Sequence, residues 1–187
     1  MTYEQPSKNK VPLLPLNDME KRHYGLSHFL AQSYLEAARV CLDRHYDSPQ
    51  EFLLNDDEAE SEVLIDWEKT DDRAKGAWNN KDDATRDGAY ICALASAEVS
   101  RKFVAVQRAE TLTGADYYVG PVGVTVNDLE NCFRLEISGT HLDKSGVITR
   151  LRTKVEQALN GKSNLPALAA VVGFKARLIM IQTVDLA

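Results

Sequence analysis

Between Cys132 and Ser138 the residues alternate without a break. Cys132, Arg134, Glu136 and Ser138 share one side, and Phe133, Leu135 and Ile137 share the other. A period of two belongs to a β-strand, whose successive side chains point to opposite faces. One acid, Glu136, is embedded in that strand. A short loop earlier, Ala115-Asp116-Tyr117-Tyr118-Val119 also reads as a strand with one acid in it. The spacing lets the two strands pair, which would place Asp116 and Glu136 within reach of one divalent cation.

The surrounding pattern predicts helices packed on a sheet. A helix is expected from about Tyr24 to Arg44, because Leu26, Phe29, Leu30, Tyr34, Ala37, Ala38 and Cys41 recur at threes and fours. Gln50 to Leu54 reads as another helical turn. Asn55-Asp56-Asp57-Glu58-Ala59-Glu60 reads as the start of a solvated acidic loop, and Val63-Leu64-Ile65 with Trp67 fits either a short strand or a short helix. Asn80 or Asp82 can cap a helix over Asp83–Ser100, since a short polar side chain accepts from free first-turn amides. Strands follow at Phe103–Val106, Ala115–Val119 and Cys132–Ser138. Then come a helix over Val147–Leu159 and β-rich runs at Leu168–Phe174 and Ala176–Val184. The sum is an α+β fold with a mixed sheet. Residues 1–83 supply an N-terminal arm carrying Pro6, Pro12 and Pro15, a helix and the acidic segment, and 84–187 form the core.

Charge is unevenly spread over the 187 residues, whose net value is -6. Residues 51–87 hold thirteen acids and five bases, whereas 88–187 hold nine acids and eleven bases. An acidic chain is a poor non-specific binder of nucleic acid, where affinity comes from neutralised phosphates; the slightly basic part is the one with the strand acids. Cys41, Cys92 and Cys132 have no metal-like spacing and read as buried free thiols of a reducing compartment. With no signal-like or membrane-spanning run, a cytoplasmic protein is expected. His23 and His28 are badly spaced for a helix-borne zinc pair. His141, just past Gly139-Thr140, is a candidate for reaching substrate phosphate. Of Tyr117 and Tyr118, one is expected to pack inside and the other to border a cleft, where it can stack a base.

Gly114-Ala115-Asp116-Tyr117 and Leu135-Glu136-Ile137-Ser138-Gly139 together resemble the PD-(D/E)XK superfamily, the restriction-endonuclease-like nucleases. The resemblance covers about residues 84–184. It implies a core of helix, three strands, helix and strand, and phosphodiester hydrolysis assisted by Mg²⁺ or Mn²⁺. Asp116 matches the first metal-binding acid, Glu136 the second, and Asp87 the helix acid of many members. Ser138 stands where the superfamily has lysine, and a serine supplies no positive charge. Some members carry that lysine on the next helix; Lys144, Arg150 and Lys154 are the candidates, with Lys154 preferred. The expected catalytic set is therefore Asp116, Glu136 and Lys154. The same segments are similar to uncharacterised bacterial proteins with Gly-x-Asp-Tyr followed by Leu-Glu-(Ile/Val)-Ser-Gly.

Each of these residues also has an ordinary structural reading. Arg134, on Glu136's face, is available for an ion pair, and Asp87 can stabilise a helix N-terminus. Lys154 can be a surface lysine, and Glu98, like Asp87, flanks a site or faces water. The alternative to a nuclease is accordingly a non-catalytic adaptor or regulatory protein. It would bind a protein partner, or a second copy of itself, through its helical and acidic N-terminal half.

Overall fold

The computed structural model describes residues 10–185, so Pro6 and the start of the expected arm lie outside the described residues. Helix α1 spans His28–Asp43, and the Ser27 hydroxyl accepts the Leu30 N–H at its start. Its buried stripe includes Ala31, Tyr34, Leu35, Ala38 and Leu42. Helix α3, Lys81–Arg101, follows a short helix α2 at Asp72–Ala77. Asn80 is its cap, accepting from the amides of Asp82 and Asp83. The α1 and α3 backbones lie close because Gly88 has no side chain; a Cβ there would meet Ala38 Cα at 2.9 Å.

Strands β1 (Gln50–Asp56) and β2 (Ala59–Ile65) form a hairpin turned at Asp57, whose φ is 51°. The helical turn expected at Gln50–Leu54 is thus a strand. Phe52 and Leu54 alternate into the core, and β1 takes a parallel neighbour, β7, from the far end of the sequence. The acids expected in a solvated loop begin as anchors. Arg101 at the end of α3 grips the Asp56 carboxylate with two of its nitrogens and reaches Asp57 at 2.9 Å. Asp57 also accepts the Thr183 amide at 2.7 Å. Asp57 is also exposed, as are Glu58, Glu60 and Glu62.

The remaining elements are β3 (Phe103–Arg108), β4 (Tyr117–Pro121), β5 (Phe133–Thr140), α4 (Lys144–Leu159), β6 (Ala167–Gly173) and β7 (Leu178–Val184). All the strands join one seven-stranded sheet in the order β2-β1-β7-β6-β5-β4-β3. Neighbours β1/β7 and β5/β6 are parallel, and the rest are antiparallel. The parallel step from β5 to β6 is bridged by α4, as such a step needs a crossover.

Helices cover both faces. Leu168, Ala170 and Val172 of β6 point into the core shared with α1 and α3. Ala167, Ala169 and Val171 point to Val147, Leu151 and Ala158 of α4. A strand buried on both faces reads as one continuous apolar run, which explains its even, Ala-rich sequence. The sheet edges are guarded by the segment before α1. Leu14 and Pro12 exchange main-chain bonds with Leu64 on β2. On β3, the Ala105 N–H donates to His23 Nδ1 and Gly25 N–H donates to Ala105 O, both at 2.9 Å. Capping an edge in this way removes a template for intermolecular pairing. All three cysteines are buried and free. Among the described residues, no helix is long and apolar enough to cross a membrane.

Candidate functional site

Strand β5 outruns β4. The two pair only at Tyr117↔Leu135, Tyr118↔Arg134 and Val119↔Phe133, so β5 has no β4 partner from Glu136 onward. Asp116 sits at that fork. Its main-chain N–H donates to Leu135 O at 2.8 Å, and its Oδ2 accepts the Ile137 N–H at 2.7 Å. The carboxylate thereby takes the place of the next ladder carbonyl. Its other oxygen, Oδ1, accepts the Tyr90 hydroxyl of α3 at 2.9 Å. With each oxygen held by one donor, the carboxylate is fixed and still has lone pairs to offer.

Glu136 projects toward α4, where Lys154 Nζ lies 2.6 Å from its Oε1. Both side chains are largely covered, at 17 % exposure for Lys154 and 12 % for Glu136. Burial, and then the charge of Asp116, push the Glu136 carboxyl above its usual range, against the opposing pull of Lys154. Arg134 is not its partner. That guanidinium is wholly buried and donates to the carbonyls of Thr113, Ala158 and Leu165. It ties the loop before Asp116 to the last turn of the lysine-bearing helix.

Gly114 and Gly161 complete that tie. Gly114 has φ +67°, and a Cβ there would lie 2.8 Å from Gln157 O and from Gly161 Cα. Gly139 serves a different junction, where a Cβ would meet Thr85 O of α3 at 2.6 Å. The glycines of the two sequence segments therefore mark close backbone crossings around the acids.

Two adjoining clefts open here, of about 480 and 710 Å³, and both are lined by Asp116 and Lys154. Glu136, Arg108 and Glu110 line the first; Tyr90, Ser138, Arg150 and His141 line the second. Asp87 lines neither and accepts from Arg86 Nε at 2.7 Å. Glu98 is paired with Arg22 and the buried His23. Lys144 is exposed at the first turn of α4. Among the described residues, no three His, Cys, Asp or Glu side chains gather closely enough to hold a metal ion.

His141 is neither free nor charged. Its Nδ1 lies 2.7 Å from His45 Nε2, its Nε2 lies 2.8 Å from Thr85 Oγ1, and its ring stacks on Phe174. Burial, with His45 and Arg44 adding positive charge, lowers its pKa to about 4. Tyr117 and Tyr118 are both buried, and neither lines either of these clefts. The cleft aromatic is Tyr90, whose phenol is held neutral by burial and by the Asp116 charge.

Sequence reasoning names neither Arg108 nor Tyr90, and takes Tyr34 only as part of an apolar helix face. Arg108 Nη1 donates to Tyr34 Oη at 2.6 Å and to Tyr117 Oη at 3.3 Å, while Nη2 donates to Tyr90 Oη at 3.3 Å. The guanidinium also lies over the rings of Tyr90 and Tyr117, at 4.7 and 5.1 Å from their centroids. Burial works against the Arg108 charge, but the tyrosine oxygens outweigh it and raise its pKa. No family model matches the chain, and no curated protein or solved structure matches it.

Proposed function

We propose that the protein is a divalent-metal-dependent phosphodiester hydrolase acting on nucleic acid, a divergent PD-(D/E)XK member of the cytoplasm. The observation that carries this reading is the meeting of Asp116, Glu136 and Lys154 at one cleft, contributed by the start of β4, by β5 and by α4. The order α3, β3, β4, β5, α4, β6 supports it, since it is the order the resemblance implies. The reduced cysteines support the compartment.

The donors suit a small hard cation. Mg²⁺ characteristically takes one or two carboxylates and completes its shell with waters and substrate phosphate. Asp116 and Glu136 would supply the carboxylates, and Glu136 Oε2 has no hydrogen-bond partner among the described residues. Asp87 lies apart, and in this proposal it is left out of the shell. The ion would lower the pKa of a bound water and offset charge on phosphate.

The chain's own groups do the rest. Tyr90 and the Ile137 amide fix the Asp116 carboxylate. Lys154 balances Glu136 and presents a cation to the phosphate, the charge Ser138 does not provide. The water oxygen bonds to phosphorus as the ester P–O bond breaks. One water proton goes to the leaving oxygen and the other to solvent, giving a phosphomonoester and a hydroxyl.

Mn²⁺ calorimetry on wild type, Asp116→Asn and Glu136→Gln tests the site, followed by cleavage of a labelled oligonucleotide. Binding by wild type that both variants lose is the expected result; no binding by wild type overturns the reading. The adaptor alternative draws on Tyr24 and Phe29, which are 79 % and 84 % exposed beside α1, and on the acidic hairpin tip. It predicts a folded protein that binds neither Mn²⁺ nor an oligonucleotide.

A further inference from the structure

Arg108 owes its place to an irregularity. Strand β3 pairs Ala105 with Val119 but Gln107 with Tyr118, so Val106 is a bulge. In a regular ladder Gln107 would face Tyr117, and Arg108 would fall on the opposite side of the sheet. A one-residue slip exchanges the faces of every later residue. The bulge sets Arg108 opposite Tyr117, on the face that carries the tyrosines. Bulges that re-aim a side chain are common beside binding sites.

The tyrosines form a cradle rather than a counter-ion. Tyr34, Tyr90 and Tyr117 are 3 %, 4 % and 0 % exposed, and Tyr34 and Tyr117 share a hydrogen bond of 2.9 Å. Three neutral oxygens thus orient the guanidinium and leave its full charge uncancelled. Among the described residues Arg108 has no carboxylate partner within ion-pair distance. Acids do line the same cleft, but each is engaged elsewhere. Glu110 accepts from Tyr118, Glu136 from Lys154, and Asp116 from Tyr90 and Ile137. An oriented arginine lacking a carboxylate beside a cleft is suited to a ligand anion, and its planar fork matches phosphate oxygens.

We propose that Arg108 is a substrate-binding residue, receiving a backbone phosphate of a nucleic-acid strand that lies across the Asp116–Lys154 cleft. This deepens the hydrolase reading and rests on it for the choice of phosphate over other anions. Tyr90 links the two functions, because its hydroxyl accepts from Arg108 and donates to Asp116. The bound phosphate is therefore one hydroxyl away from the acid that would hold the metal. The adjoining cleft is lined by Lys154, Arg150, Arg86 and Lys81, with Asp82 and Asp116 as its acids. Lys154 and Arg86 already have carboxylate partners, whereas Arg150 and Lys81 have no carboxylate within ion-pair distance among the described residues; a polyanion can reach these two beyond Arg108.

The test is fluorescence anisotropy of a labelled twelve-nucleotide single strand, in chelator and across a salt series. Omitting metal separates this inference from the hydrolase reading, which is judged by Mn²⁺ binding. Arg108→Gln should weaken binding about tenfold and reduce the slope of log affinity against log salt by about 0.7, the loss of one phosphate contact on a single strand. Arg108→Lys should recover the slope but only part of the affinity. Lys21→Gln, an exposed charge paired with Asp18, controls for net charge and should bind as wild type does. Tyr34→Phe guards against a folding artefact. It keeps the arginine and the buried ring, and should lower affinity severalfold with the slope intact. Equal affinity and slope for wild type and Arg108→Gln, or no binding by wild type, overturns the proposal.

Discussion

Lys154 Nζ reaches Glu136 Oε1 at 2.6 Å, across the gap between helix α4 and strand β5. The pair is mostly hidden from solvent, so its members depend on each other. Lys154→Met would leave a covered carboxylate without its cation and should cost about 2–3 kcal/mol of stability at pH 7. The double variant Lys154→Met/Glu136→Gln should recover most of that loss, because removing both charges also removes their desolvation cost. Urea denaturation of the four proteins in the cycle measures the coupling. A double variant as unstable as the sum of the singles would contradict it.

Asp116 raises the Glu136 carboxyl through its charge. Asp116→Asn should therefore bring Glu136 back toward the normal carboxylate range, a shift readable by NMR titration of the side-chain carbon. The same change costs about 1 kcal/mol of stability, since an amide has one acceptor oxygen where Tyr90 and Ile137 both donate. A Glu136 titration that ignores the substitution would place the two acids too far apart to share an ion.

The His45–His141 pair makes the fold acid-sensitive. Both rings titrate below their ordinary range, His141 at about 4, with burial the leading cause for each. The unfolded chain takes up protons near pH 6.5, where the folded chain does not. Stability should be constant with respect to these groups above pH 6.5. It should then fall as pH drops from 6.5 toward 4, by about 2 kcal/mol for His141 after allowing for partial exposure. His141→Gln should flatten that part of the stability–pH curve, even if it lowers stability at pH 7. An unchanged slope between pH 6.5 and 4 would rule out this source.

Gly114 should tolerate no side chain. Gly114→Ala meets both a positive φ and the backbone of Gln157 and Gly161, and should destabilise the fold by about 2 kcal/mol or more. Because the displaced loop carries Asp116, Mn²⁺ affinity should fall as well. Gly76→Ala is the control, since a Cβ there has no neighbour within 4 Å; in the last turn of the short exposed helix α2 it should be neutral or slightly stabilising. Calorimetry and thermal melts on both variants decide the point.

What the sequence disclosed followed from the range of the signals. Helices α1, α3 and α4 and strands β4 and β5 carry their own periodicity, so local reading found them within a few residues. Gln50–Leu54 misled because β1 is only seven residues long, with Glu51 and Asp56 near its two ends, and so holds little local information. Their strand character comes from β2 and from β7, whose pairing partners lie far along the chain. The nearness of Asp116 to Glu136 follows from two adjacent strands, and Lys154 was named through the resemblance. Arg108 was invisible for a physical reason: only the bulge at Val106 gives it the tyrosine face, and alternation alone assigns it the other. Arg134 looked like a partner for Glu136 because a strand pattern shows which face a side chain leaves, not where a long side chain ends.

The parallel pairing of β1 with β7 has a consequence for synthesis. The hairpin β1–β2 precedes the other strands in the sequence, yet its attachment to them is Leu178–Ile181 of β7, the last strand of the described residues. On a ribosome the first hairpin must wait for its parallel strand neighbour until β7 has emerged. Closure of the sheet therefore follows the synthesis of β1 to β6. During that interval β1 keeps an unpaired backbone edge, and a ribosome stalled before β7 would release a product with that edge open to pairing with another chain.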